Sequence, residues 1–267
     1  MEITMQFDFG KNWKEFSIHA LSDRKVEQAR HAFAELLDAD LKGVSFLDIG
    51  FGQGLSLLLA TERGANTVGC DINHTCKEVL GANQQRFFSA LSDRNIPCFV
   101  GSILDRTVVD ELATKTPDGT YDVVHSWGVL HHTGNMTKAI EHAASLVAKD
   151  GLFVLALYNR HWTSSAWLLI KWLYCKSPEW LQRIFIGILY PVIWLAKFIV
   201  TGKNPMRQQR GMDFMYNVKD WVGGYPYEYE SIPETNRRMS ALGFELVKVI
   251  PAEVPTGCNE FVFRRRV

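Results

Sequence analysis

Short apolar runs recur along the first part of the chain, at residues 44–49, 67–71, 98–100, 121–124 and 152–158. Each is too short for a buried helix and ends in Gly, Asp or another turn residue, which marks a strand buried on both faces. Between these runs the apolar spacing becomes helical, over residues 55–60, 74–90 and 136–148, the last capped by Asn135 and closed by Asp150-Gly151. A further amphipathic helix follows Ser22 and covers residues 25–37. Strand and helix in alternation predict a doubly wound α/β domain with five parallel strands. The ending differs. Ser231-Ile232-Pro233-Glu234 reads as a capping box opening a helix that Gly243 ends, and residues 244–250 and 260–264 form a strand pair joined through Pro255-Thr256-Gly257.

Residues 159–230 break the alternation. An apolar helix at 166–174 is followed by Ser177-Pro178-Glu179, a cap, a first-turn proline and a favourable acid for a second helix. That second run, 184–200, is hydrophobic almost all round. It approaches the roughly 17 to 25 residues a bilayer span needs. Arg183 and Lys197 nevertheless confine its charge-free core to 13 residues, and Pro191 should kink it. Two readings stand: a helical cap over an apolar substrate cavity, and a hairpin lying on a membrane through residues 166–200, with Lys197, Lys203, Arg207 and Arg210 as its rim. The loop at 220–229 is rich in turn residues and aromatics, so Trp221, Tyr225 and Tyr227 are candidates for an acceptor pocket wall, or pins that hold the insertion to the core. The aromatic leader at 7–16, including Trp13, either fills a groove or forms a lid. Four segments result: 1–40, leader and helix; 41–158, the nucleotide-binding core; 159–230, the cap; 231–267, the strand pair completing the core.

The chemistry starts at the end of the first strand, where Asp48-Ile49-Gly50-Phe51-Gly52-Gln53-Gly54 runs into a helix. Glycines here let the backbone turn and approach a ligand while helix amides point into the same space. The dinucleotide fingerprint is G-x-G-x-x-G, whereas this loop is Gly50-x-Gly52-x-Gly54 with an acid two residues earlier. A carboxylate would repel pyrophosphate and suits a ligand carrying an ammonium group. In this motif the chain resembles the class I S-adenosylmethionine-dependent methyltransferases, whose first motif is D/E-x-G-x-G-x-G. Residues 121–133, with Tyr121-Asp122 at the start and Val129-Leu130-His131-His132 near the end, resemble another region of that family. Within that family the chain is similar to small-molecule enzymes of the ubiquinone and menaquinone type.

The resemblance implies a Rossmann-like, seven-stranded sheet flanked by helices, mostly parallel with an antiparallel last strand. It implies S-adenosylmethionine as cofactor, held by Asp48, Gly50, Gly52 and Gly54. Asp71, about twenty residues past the loop, is placed to bind the ribose hydroxyls, and Ile72 to lie against adenine. The family commonly carries an acid after the glycine that follows strand three; here Ser102 stands there, with Asp105 as the alternative. Ile103 and Ser126 complete the cofactor set. His131 or His132 is a candidate general base, since imidazole has an ordinary pKa of about 6.5. Tyr158, at the mouth of strand five, is a candidate to orient the acceptor. The bland alternative for the histidines is a structural role. Paired histidines without an acid or cysteine at a ligand spacing do not predict a metal site.

Bulk composition narrows the rest. Formal charge is balanced at +0, which gives no global field for nucleic acid, and Arg264-Arg265-Arg266 reads as a solvated tail. The 5 cysteines are scattered, with no C-x-x-C pair, and the first residues lack a basic-then-apolar signal design. A cytoplasmic site follows as the default, with peripheral contact at the inner membrane face if the hairpin lies on lipid. The expected activity is methyl transfer to an oxygen, nitrogen or carbon of a small, partly apolar acceptor, lipid-like or a biosynthetic intermediate. Its rivals are a membrane-associated protein that binds the cofactor without chemistry, and a dinucleotide oxidoreductase.

Overall fold

The computed structural model describes residues 7–206 and 212–266. Two helices lead the chain, α1 (Phe9–His19) and α2 (Asp23–Leu36), and α1 begins where the Asp8 carboxylate accepts from the Lys11 amide at 3.0 Å. The alternation then follows: β1 (Ser45–Ile49), α3 (Leu55–Glu62), β2 (Asn66–Asp71), α4 (Thr75–Phe87), β3 (Cys98–Val100), α5 (Arg106–Ala113), β4 (Tyr121–Trp127), α6 (Met136–Ser145) and β5 (Val147–Tyr158). The insertion holds α7 (Ser164–Lys176), α8 (Glu179–Thr201) and α9 (Phe214–Gly223), after which α10 (Ile232–Ala241), β6 (Phe244–Ile250) and β7 (Cys258–Arg265) close the domain. In the expected capping box, the Ser231 amide donates to the Glu234 carboxylate at 2.8 Å.

The 7 strands form one sheet in the order β3-β2-β1-β4-β5-β7-β6. Strands β1 to β5 pair in parallel, and β7 runs antiparallel to both β5 and β6. The strand order reverses between β1 and β4, so a crevice opens at their carboxyl ends, where such sheets hold ligands. One face of the sheet packs Tyr121, Phe153 and Phe261 against α5, α6 and α10. The other packs Phe46, Val123 and Val154 against α1, α2 and α3. Phe46 and Leu47 are fully buried on opposite faces, each side chain contributing about 1.5–3 kcal/mol. That two-sided burial is why the strand reads as a continuous apolar run.

Two expectations change. Residues 220–223 are the last turn of α9, a helix the glycines and proline nearby concealed; Asp213 caps it, accepting from the Met215 amide at 3.0 Å. The C-terminal arginines are engaged: Arg265 donates to the carbonyls of Ala144 and Val147 at 3.2 and 2.7 Å, and Arg266 lies 3.8 Å from Glu245. Arg207 and Arg210 lie outside the described residues.

Helix α8 stays helical through Pro191, and by length and composition it suffices to cross a membrane. It packs one side, including Tyr190 and Ile193, on α9, with the Tyr190 and Phe214 rings 5.0 Å apart. Its opposite side exposes Ile184, Ile188, Val192, Leu195 and Ile199 at helical spacing. An amphipathic surface helix would place polar residues there.

Candidate active site

At the end of β1 the chain turns with Gly50, Gly52 and Gly54 all at positive φ, 75°, 52° and 82°. A Cβ on Gly50 would stand 2.4 Å from the Val129 side chain, and one on Gly54 would stand 2.2 Å from Leu80. Both the backbone conformation and the space therefore require glycine. The loop is tied back to β2: Gly50 N donates to the Cys70 carbonyl at 2.6 Å, and Gly52 N donates to Asp71 Oδ2 at 2.9 Å. Asp71 Oδ1 accepts from Asn73 N at 2.8 Å. Burial raises the Asp71 pKa, and these two amides oppose that rise. Beside it Ile72 is 57% exposed, an aliphatic surface at the rim of the cleft.

Asp48 has a partner that sequence reading missed. Its in-register neighbour on β4 is His125, and His125 Nδ1 lies 2.7 Å from Asp48 Oδ1. The carboxylate borders the cleft but is 2% exposed. Ser102 and Ile103 also border the cleft. Asp105 is spent as the cap of α5, accepting from the Thr107 amide at 3.0 Å, which leaves Ser102 as the polar group at that end. Ser126 departs from the cofactor set: it is 0% exposed, and its hydroxyl donates to the Ile49 carbonyl at 3.0 Å, stitching β4 to β1.

Beyond β4 a single 3₁₀ turn, Leu130–His132, carries the histidines. Nδ1 of His132 lies 2.7 Å from the Pro226 carbonyl, so it donates, and the neutral tautomer carries its lone pair on Nε2. Burial, then the charge of Lys171, pushes the His132 pKa down to about 3. His131 is fully buried, its ring packed on Tyr158 at 4.2 Å and on His132 at 4.3 Å. Neither of its nitrogens makes a well-formed hydrogen bond among the described residues; the Ala156 backbone is only a weak partner, and burial holds the ring neutral. Tyr158 is 8% exposed, and burial raises its pKa, which keeps it protonated.

The aromatic candidates divide. Trp221 borders the cleft, its ring edge-on to Tyr158 at 5.0 Å. Tyr227 stands behind it, 3% exposed and packed on Tyr158 at 5.1 Å. Tyr225 contributes its backbone, accepting from the Phe7 amide at 3.0 Å. Trp13 lies over the glycine loop, 3.4 Å from the position of a Cβ on Gly52, and so sits at the nucleotide end. Four residutes earlier on α1, Phe9 packs on the His132 ring at 4.7 Å. One short helix thus covers both ends of the cleft.

Three further residues were not anticipated. Asp220 borders the cleft, accepts from Asn12 Nδ2 at 2.6 Å, and is raised by burial to about 7. Asn12 thereby joins α1 to α9. Lys171, midway along α7, is fully buried behind Trp221. A lysine inside the apolar run of residues 166–174 was the signal available for it. Together these elements enclose one continuous cleft of about 1270 Å³.

Comparison with known proteins agrees with this architecture. A family model described as "Methyltransferase domain" matches residues 20–188, more than half the chain. Among curated proteins, the ubiquinone biosynthesis O-methyltransferase of Rhodopseudomonas palustris (strain TIE-1) is 26% identical over 170 residues, covering 61% of this chain and 62% of that protein. A protein of the same name from Bradyrhizobium sp. (strain ORS 278) is 25% identical over 187 residues, covering 68% and 66%. The match thus spans less than two thirds of the curated proteins' own length. Among solved structures, an O-methyltransferase family protein from Burkholderia thailandensis superposes with a TM-score of 0.54 at 14% identity, covering 91% of this chain and 57% of that one. The [4+2]-cyclase SpnF reaches the same TM-score of 0.54 at 12% identity, covering 92% and 81%. Likeness at those identities is a likeness of fold.

Proposed function

The chain belongs to the methyltransferase-domain family, and on that premise we propose that it transfers a methyl group from S-adenosylmethionine to an oxygen, nitrogen or carbon of a small, partly apolar acceptor. The observation that carries this reading is the opening of a glycine loop and a wall of histidine and aromatic side chains onto one cleft. The residues present fit the cofactor. The cradle has room only for glycine at Gly50 and Gly54. Asp71 offers the remaining lone pairs of a carboxylate to the ribose hydroxyls, Ile72 offers an apolar surface to adenine, and the Ser102 hydroxyl stands at the adenine edge. Asp48, held by His125, presents negative charge toward the amino-acid end.

Bound S-adenosylmethionine supplies an electrophilic methyl group on a sulfonium sulfur. The chain's own residues orient the nucleophile and take its proton. His132 is neutral throughout the physiological range and holds its acceptor lone pair on Nε2. A second assignment gives the proton to Asp220, whose value of about 7 is better matched to neutral pH. His131 buttresses His132 and Tyr158 from beneath. The aromatic rings of α1, Phe9 and Trp13, and the apolar insertion exclude water as charge disappears from sulfur.

Formation of S-adenosylhomocysteine, screened against metabolite extracts for a product heavier by one methyl group, tests the activity. Since the fold also serves a cyclase, binding of the cofactor alone does not decide it. Cofactor binding without S-adenosylhomocysteine formation across the screen would favour a protein without methyl-transfer chemistry.

The cleft lining also takes in Ala32 and Leu36 of α2 and Ile193, Ala196 and Val200 of α8, interspersed with His31, Glu35 and Lys197. Those apolar positions suit the hydrocarbon part of a lipid-like acceptor, with the polar groups near a headgroup. The outer side of α8, apolar and exposed, suits peripheral contact with the inner membrane face, where such an acceptor would reside.

A further inference from the structure

Lys171 is the charged side chain most deeply enclosed behind the acceptor wall. It is 0% exposed, on a helix whose surrounding positions are apolar. Its ammonium donates to the Trp221 carbonyl and lies 4.3 Å from the Trp221 ring, 4.7 Å from the Tyr227 ring and 5.4 Å from the Tyr158 ring. One turn further along α7, the Cys175 thiol donates to the Gly223 carbonyl at 3.0 Å. Both carbonyls belong to the last turn of α9, where a helix leaves its acceptors without intrahelical donors; the Gly223 carbonyl also accepts from the Tyr225 amide at 2.6 Å, so the Trp221 carbonyl is the one that Lys171 caps. Helix α7 therefore caps α9, and it brings positive charge to the negative end of the helix dipole.

The capped end carries the acceptor wall. Trp221 lies in that last turn, and Gly224 immediately follows it. A Cβ on Gly224 would stand 2.7 Å from His132 Cε1, so the backbone passes close against the ring and leaves no room for a side chain there. Two residues later the Pro226 carbonyl holds His132 Nδ1. Lys171 is thus connected to the proposed base through the α9 terminus and a few backbone atoms, without touching it. Burying an ammonium costs several kcal/mol unless it is well paired, and water or a surface side chain can satisfy a helix terminus. A cap at that cost is explained if the position of the terminus matters.

We propose that Lys171 is a positioning residue for the acceptor site: by holding the last turn of α9 it sets Trp221 in the cleft wall and, through the Pro226 carbonyl, fixes the tautomer and orientation of His132. This rests on the methyl-transfer reading only in assigning those two residues to the acceptor. Burial lowers the lysine to about 7. The groups facing it are Asp220 from α9, Cys175 from its own helix, Cys258 from β7, and the neutral His131 and His132. Asp220 and Lys171 are the two among them placed to titrate near neutrality.

The test compares the full chain with Lys171→Met, which keeps length and removes charge, in the presence of S-adenosylhomocysteine. Nitrogen-15 NMR of histidine reads the His132 tautomer, and amide exchange reads residues 219–225. In the variant, exchange of that segment should quicken about tenfold, as loss of one buried hydrogen bond implies. His132 should lose its single Nδ1–H form, while S-adenosylhomocysteine affinity stays within about twofold, because the cradle is built elsewhere. Wild-type exchange and an unchanged tautomer would overturn the proposal. Should the variant fail to fold, Asp220→Asn, which leaves Lys171 as the group titrating near neutrality beside Trp221, supplies the same reading: Trp221 emission, isolated by difference against Trp221→Phe in that background, should change with a midpoint near the lysine's value of about 7. Emission flat from pH 6 to about 8.5 would overturn it equally. Lack of S-adenosylhomocysteine binding by the wild-type protein would count against the cofactor reading and leave these responses of the wall intact.

Discussion

The two ends of the cleft are built from different material. At the proposed nucleotide end the lining is made of the turns after β1, β2 and β3, with glycine backbone beside the side chains of Asp71, Ile72 and Ser102, tied together by hydrogen bonds such as Gly52 N to Asp71 at 2.9 Å. At the acceptor end they are side chains from α1, β5, α7 and α9, brought together across the chain, as Asn12 and Asp220 are at 2.6 Å. The first end has few ways to vary, because its shape is set by dihedral angles. The second can be repacked one side chain at a time, and it gathers five titratable groups whose values burial has moved: His131, His132, Tyr158, Lys171 and Asp220. A cofactor end that stays fixed and an acceptor end free to diverge is the division a fold needs if it is to serve several chemistries.

The largest expected effect breaks the nucleotide end alone. Gly50→Val places a β-branched residue at φ 75° with a Cβ 2.4 Å from Val129. The strain is on the order of 1–3 kcal/mol, and the loop must shift to relieve the clash. Calorimetry should show S-adenosylhomocysteine affinity falling roughly 100-fold, as about 2.7 kcal/mol implies. Affinity within a few-fold of wild type would mean that the loop is not the cradle.

At the acceptor end His132→Ala should lower turnover by about 10²–10⁴, with cofactor affinity little changed. If Asp220→Asn gives the larger loss, the base is the carboxylate. The pH dependence of stability separates the two groups further. His132 falls to about 3 on folding, so below about pH 6.5 the unfolded chain binds the extra proton and stability drops as pH falls. Asp220 rises to about 7, so between roughly pH 4 and 7 the folded chain binds the extra proton and stability drops as pH rises. In chemical denaturation His132→Ala should therefore remove an acid-side loss, and Asp220→Asn a loss approaching neutrality.

What could be read beforehand follows the same division. Strands buried on both faces write themselves as apolar runs, and a glycine loop at a strand end writes itself as spacing, so β1 to β5, the glycine turn and the place of Asp71 at the end of β2 were legible. The capping box at Ser231 and Glu234 was legible for the same reason: its partners are local. Helix α9 was not, because Gly223, Gly224 and Pro226 signal a turn while the helix they terminate is held by packing on α7 and α8. The Asp48–His125 pair needed the register of β1 on β4. Asp220 and Lys171 needed a tertiary arrangement that no spacing encodes.

A smaller effect sharpens the boundary between site and scaffold. Ser126 lies within the strand that delivers the histidines, yet its hydroxyl is spent on the Ile49 carbonyl at 3.0 Å. Ser126→Ala should cost about 0.5–1.5 kcal/mol of stability, seen as a lower denaturation midpoint at constant slope, with S-adenosylhomocysteine affinity unchanged. A tenfold loss of affinity at unchanged stability would return Ser126 to the cofactor set.

The smallest effect on the folded protein concerns the outer side of the insertion. Ile184 and Ile188 are 48% and 62% exposed on the side of α8 turned away from α9. Replacing both with Gln removes little buried area, so stability should stay within about 0.5 kcal/mol per site and the inner wall should be undisturbed. Co-sedimentation with vesicles containing anionic lipid should nevertheless fall sharply, since binding of an interfacial helix scales with the apolar area it inserts. Equal sedimentation of variant and wild type would remove the membrane contact and leave α8 as a cap alone. A fall in sedimentation with turnover on a water-soluble acceptor retained would show that the acceptor end itself has two separable faces, an inner one that holds the reacting group and an outer one that meets the lipid.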